Sequence, residues 1–187
     1  MLSGRRLDLL DPSPLDIEIS DIAHGLARVA RWNGQTTGEH AFSVAQHSLV
    51  VEDICGILEP GLEARWRLAA LLHDAPEYVI GDMISPFKAA LGLDYKTFEA
   101  RLEAAIHIRF GLPPHTPQAV KALIKKADQA SAFYEAVQLA GFSHEEALNL
   151  FGAPPGGPRV DVAPWPTGMA EQRYLDRCHA LAGAMKP

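Results

Sequence analysis

Cysteine is scarce in this chain, basic charge is in deficit, and long apolar runs are missing. Two cysteines, Cys55 and Cys178, among 187 residues cannot build a disulfide scaffold. Lys and Arg number 17 against 23 Asp and Glu, a formal net charge of −6. That balance argues against a coat for nucleic-acid polymer, which needs basic clusters to displace counterions. A small anionic substrate stays open, because a few local cations or a metal can hold it against an acidic background. No stretch approaches the roughly 20 apolar residues of a membrane span. The basic start of the chain is interrupted by Asp8, Asp11, Pro12 and Pro14 before any apolar core of signal length. A cytoplasmic, membrane-free protein is the expectation. Period-two alternation, internal repeats and a linker between two cores are also missing.

What is present is ordinary globular usage, 48% hydrophobic and 21% charged, in a chain long enough for one sizeable core. Helical spacing dominates, so the expectation is an all-α bundle, a single domain over 1–187. A short helix from Ser20 or Asp21 puts Ile22, Leu26 and Val29 on one side and stops near Asn33-Gly34. Two capping boxes compete for the next start, Thr36 to Glu39 and Ser43 to Gln46. The second is preferred, since Gly38 disfavours the first and the apolar run begins at Val44. That helix runs to about Leu58 and ends at Pro60-Gly61. The next spans about Glu63 to Asp74, with a break forced by Pro76, which lacks an amide proton. Ser85-Pro86 reads as an N-cap with proline at N1. Further helices are expected at about Asp94 to Phe110, from Thr116-Pro117 onward, after the Ser143 to Glu146 capping box, and from about Gly168 to Met185. Between the last two, 152–166 hold three Gly and five Pro, a loop pinned by Trp165 with the final helix packed back on the body.

The chemistry concentrates at His73-Asp74, at the end of the apolar stretch Leu68-Ala69-Ala70-Leu71-Leu72. Imidazole beside carboxylate at the edge of a core suits Mn, Co, Fe, Ni or Zn rather than a thiolate site. Holding one ion well takes more than two ligands, and the chain offers His47 and Asp128. Asp128 neighbours Leu123, Ile124 and Ala127, so it lies on a helix that touches the core and wants a partner. Taken alone, Asp74 reads as a cap in Asp74-Ala75-Pro76-Glu77 before it reads as a ligand.

A lone His, then His-Asp, then a distant Asp resembles the pattern of the HD-domain superfamily of metal-dependent phosphohydrolases. The stretches that carry the likeness are Arg31-Trp32, Gln46-His47-Ser48-Leu49, Leu72 to Glu77, Gly81-Asp82 and Lys126-Ala127-Asp128. They cover about residues 20–140 and are closest to the bacterial 5′-deoxynucleotidase branch. Glu39-His40 offers a second first ligand. His47 is favoured because it runs directly into an apolar helix and lies at the better distance from Arg31-Trp32.

The resemblance implies an HD-like helical bundle with one divalent metal ion (Co, Mn, Zn, Fe, Ni or Mg) held by His47, His73, Asp74 and Asp128. It implies a phosphohydrolase acting on a small phosphate ester, above all (deoxy)nucleoside 5′-monophosphates, and a homodimer. Glu77 and Asp82 resemble the family's acids near the metal water, with Glu77 the better candidate for moving its proton. Glu77 reads equally as part of a cap, and Asp82 as shaping a turn. Arg31 resembles the residue that grips the substrate phosphate, and Trp32 beside it stacks on or walls the pocket. Lys88 is a weaker phosphate candidate, and Lys125 and Lys126 read as a solvated face. The competing reading is a non-catalytic metal- or nucleotide-binding helical module, or an HD phosphohydrolase for another ester.

Overall fold

A computed structural model describes residues 1–84, 93–155 and 160–185. Ser85-Pro86 and Lys88 lie outside the described residues. Eight α-helices are present among those residues: α1 (Ile19–Leu26), α2 (Val44–Leu58), α3 (Ala64–Leu71), α4 (Glu77–Ile80), α5 (Leu93–Arg109), α6 (Gln118–Gln138), α7 (His144–Phe151) and α8 (Thr167–Ala184). No strand occurs among the described residues; extended pairing is confined to a single bridge between Ala30 and Ser43. The all-helical expectation holds.

α2 is the hub. Every residue from Val44 to Glu52 is buried, the signature of a helix surrounded on all sides. It packs against α3, α6 and α8, while α1 lies across α4 and α8. Ile22, Leu26, Leu49, Ile54, Leu68, Leu71, Ile106, Ala127 and Tyr174 share the main core. Glu52, fully buried on α2, is met by Arg67 of α3 and Arg177 of α8, so the buried charge is neutralised by two guanidinium groups. Tyr174 donates its hydroxyl to the carbonyl of Leu71 at 3.1 Å and so ties α8 to the end of α3.

The caps explain where the helices begin. Ser43 accepts from the Gln46 amide at 3.2 Å, as expected for the preferred start. The return half of that box is replaced. The Gln46 side chain instead donates to Ala163 O at 2.8 Å and accepts from Trp165 N at 2.9 Å. This bolts the Gly/Pro-rich loop onto α2, one residue from His47. Arg173 lies over the Trp165 ring at 4.2 Å, a cation–π contact that anchors the start of α8. The Ser143–Glu146 capping box is complete in both directions.

Two boundaries differ from the sequence reading. The first helix ends at Leu26 rather than near Asn33-Gly34. The chain then extends, and Arg31 N donates to Phe42 O at 2.8 Å and Val44 N to Val29 O at 2.9 Å. Arg31–Gly34 forms a tight 3-10 turn in which Trp32 and Asn33 sit at φ 56° and 52°. A bulky residue in that region carries backbone strain. The α3 helix stops at Leu71, three residues short of Asp74. From there the bonds tighten to a three-residue span, with Ala75 N to Leu72 O at 2.9 Å and Glu77 N to Asp74 O at 3.0 Å. His73-Asp74 therefore sits on a turn that Pro76 closes, not on the helix itself.

Candidate metal centre

Three elements supply the centre. α2 brings His47 to the middle of the bundle, fully buried. The α3–α4 turn brings His73 and Asp74, and α6 brings Asp128. One ligand atom each from His47, His73 and Asp128 lies within 4.8 Å of the others. Asp74 joins them: its Oδ2 is 3.4 Å from His47 Nε2 and 3.2 Å from His73 Nε2. Asp128 Oδ1 is 3.5 Å from His47 Nε2. Asp74 does not cap α4, whose N-cap position is Pro76 and carries no side-chain cap. His40, half-buried in the loop before α2, is not part of this group among the described residues.

The tautomers are set from behind. His73 Nδ1–H donates to Ala70 O at 2.9 Å, and His47 Nδ1–H donates to Glu135 Oε1 at 2.6 Å. Each imidazole therefore turns its Nε2 toward the other side chains of the cluster, and the ring centroids are 5.3 Å apart. Neither buried Nε2 has a hydrogen-bond partner. Two orphaned nitrogens facing two carboxylates form a donor set that a divalent cation would satisfy, so the residues fit a metal of the N/O-preferring group.

The electrostatics agree with that fit. Burial and Arg31 disfavour a proton on His47, yet Glu135, Asp128 and Asp74 around it raise its pKa well above the ordinary imidazole value. Burial pushes the Asp128 carboxyl up, but the His47 imidazole 3.5 Å from it and the His73 ring hold it well below the usual carboxylate range. Asp74 is likewise held low, against burial, by His73 and His47. Without a cation, these carboxylates favour a proton at His47 Nε2, the position a metal would take.

Glu135 and Ser131 join the candidate site and were missed by sequence reasoning. Glu135 is completely buried and receives donors from three directions. Besides His47, Ser131 Oγ donates to its Oε1 at 2.7 Å, while Trp32 Nε1 donates to its Oε2 at 2.8 Å and Arg31 Nε at 3.3 Å. Desolvation opposes ionisation, but His47 and Arg31 bring its pKa down to about 2. Asp128, Ser131 and Glu135 recur at i, i+3 and i+7, a polar line on a helix whose neighbouring face is core. That line was the available signal.

The predicted substrate residues gather beside the centre. Arg31, half-buried, is gripped by Glu135 and by Asp82 Oδ2 at 3.2 Å from its NH1. Burial disfavours its charge, but those two carboxylates more than offset this and raise its pKa. The Trp32 ring packs against Phe142 and Phe151, with centroids 5.7 and 6.0 Å away. Glu77, buried at the first turn of α4, lines a cavity of about 610 Å3 together with Asp74, Asp128, Arg31, Trp32 and Asp82. Lys125 is exposed, as a solvated face requires, but its Nζ reaches Asp128 Oδ2 at 2.8 Å.

A match to the HD domain covers residues 44–145 of the chain. This chain belongs to the HD domain family. The matched span holds His47, His73-Asp74 and Asp128, and membership brings metal-dependent phosphohydrolase chemistry and a divalent metal as the family's general property. The chain is similar to an uncharacterized protein of Rhodobacter capsulatus, 65% identical over 154 residues, 82% of this chain and 79% of the relative. It is also similar to the uncharacterized protein YfdR of Escherichia coli K12, 31% identical over 173 residues, 91% and 88% of the two chains. No helix among the described residues of this HD protein is long and apolar enough to cross a membrane.

Proposed function

We propose that this HD protein hydrolyses small phosphomonoesters, with (deoxy)nucleoside 5′-monophosphates as substrates, at a divalent cation held by His47, His73, Asp74 and Asp128. The observation that carries the reading is the pair of unpartnered imidazole nitrogens beside two aspartates, at the end of a cavity that also contains Arg31. When bound, the cation supplies neutralisation of phosphoryl charge and acidity to a nearby water. Arg31 takes the phosphate through its remaining guanidinium donors, with Glu135 and Asp82 fixing its plane. Asp82 is thus an orienting partner of Arg31, and Glu77 is the group that orients the attacking water and accepts its proton. Water adds to phosphorus, the bond from phosphorus to the ester oxygen breaks, and the proton taken by Glu77 is returned to that oxygen, so the products are an alcohol and inorganic phosphate. Positioning and charge neutralisation supply most of the rate, as phosphoryl transfer requires. The protein is read as cytoplasmic, where its two free, buried cysteines stay reduced.

A phosphate-release screen of ribo- and deoxyribonucleoside 5′-monophosphates, with Co, Mn, Mg and Zn in parallel, tests this. Release by the native chain is expected, with His73→Ala and Asp74→Ala each losing both metal and turnover. Hydrolysis retained in either variant overturns the ligand assignment. Nucleotide binding with no release under any metal overturns the enzyme reading in favour of a binding module.

A further inference from the structure

The cavity beside the metal centre is larger than its chemistry needs. At about 610 Å3 it falls within the several-hundred range that encloses a drug-sized ligand, well beyond one phosphoryl group. Its lining is of two kinds. Arg31, Asp82, Asp74 and Asp128 bring charge, while Leu150 and Phe151, the last two residues of α7, bring apolar surface. Leu150 leaves 63% of its surface exposed, although α7 buries Ala147 against α6. Phe151 stands nearly perpendicular to Trp32, at 84°, so this wall is held by aromatic packing rather than free to swing. Gln129, one residue past Asp128, adds an amide that both donates and accepts. A flat ligand with apolar faces and a hydrogen-bonding edge matches that combination. Both wall residues lie outside the 44–145 span that matches the family model.

We propose that Leu150 and Phe151 wall a nucleobase subsite, which makes α7 the element that selects nucleotides over phosphate esters without a base. The proposal rests on the phosphohydrolase reading for its direction, since the phosphate must sit at the Arg31 end and the base then extends along α7. Leu150 is the residue to change, because it is exposed and its replacement spares the core.

The test compares deoxyadenosine 5′-monophosphate with deoxyribose 5-phosphate, which share phosphate and sugar and differ by the base. The native chain should prefer the nucleotide by about tenfold or more in kcat/KM, the scale of one apolar contact. Leu150→Asp should lose about tenfold on the nucleotide, chiefly through KM, and leave the sugar phosphate within about twofold. Leu150→Met should stay near the native value. Equal losses on both substrates, or no loss on either, overturn the subsite. If the native chain releases phosphate from neither, the phosphohydrolase reading falls and calorimetric binding of the same two compounds decides the subsite. Tighter binding of the nucleotide that Leu150→Asp abolishes supports it, and equal binding refutes it.

Discussion

A buried carboxylate is costly unless every lone pair is used, and Glu135 uses its lone pairs on four donors from three elements. Its bond to His47 Nδ1 fixes the ring so that Nε2 meets the cluster, and the negative charge makes that nitrogen a better donor to a cation. Glu135→Gln keeps the size but removes the charge, and it presents an NH2 where an acceptor is needed. Divalent-metal affinity, read by calorimetry with Mn or Co, should fall about 10- to 100-fold while the helical circular dichroism stays native. Unchanged affinity would reduce Glu135 to a packing residue. The candidate ligands were legible through their order along the chain, a lone His, then His-Asp, then a distant Asp, which resembles the HD pattern; His73-Asp74 by itself reads as a cap. Glu135 was hidden, since a glutamate in an Ala-rich helix ordinarily faces water and only the tertiary fold turns it inward.

Helices were legible where caps and apolar spacing agreed, as at Ser43, Ser143 and the long α6. They were not legible where tertiary contacts set the chain path. Nothing in Arg31-Trp32-Asn33-Gly34 announces two non-glycine residues at positive φ; the turn is held by Trp32 on Glu135 and by the Ala30–Ser43 bridge. The crossing of α1 on α4 is a second case. A Cβ added at Gly25 would stand 2.8 Å from both Tyr78 Cβ and Tyr78 O. In an unconstrained helix, Gly→Ala stabilises by roughly 0.5–1 kcal/mol. Here the sign should reverse, because α4 must be displaced, at a cost of about 1–3 kcal/mol. Gly25→Ala should therefore lower the urea midpoint, and it should reduce phosphate release more than metal affinity, since α4 carries Glu77 but no metal ligand. A higher midpoint would show that α1 and α4 part freely.

For the molecule as a whole, the four candidate ligands come from α2, the α3–α4 turn and α6, so one ion would join segments distant in sequence. A ligand that binds only the folded state at 100 times its Kd adds about 2.7 kcal/mol. For a domain of this size that is roughly 5–10 °C in Tm. The pH dependence follows from His47. Its folded pKa lies well above 6.5, so the metal-free fold binds a proton that the unfolded chain releases near neutrality. That stabilisation is complete below about pH 6.5 and is lost as pH rises through the folded value. A cation at Nε2 must displace the same proton, so acid competes with metal. The difference in Tm between Mn-loaded and EDTA-treated protein should therefore be larger at about pH 8.5 than at about pH 6, measured by calorimetry at a fixed total metal concentration. A gap that narrows as pH rises would mean that the ion does not use His47, and no gap at either pH would mean that these segments are not joined by a metal at all.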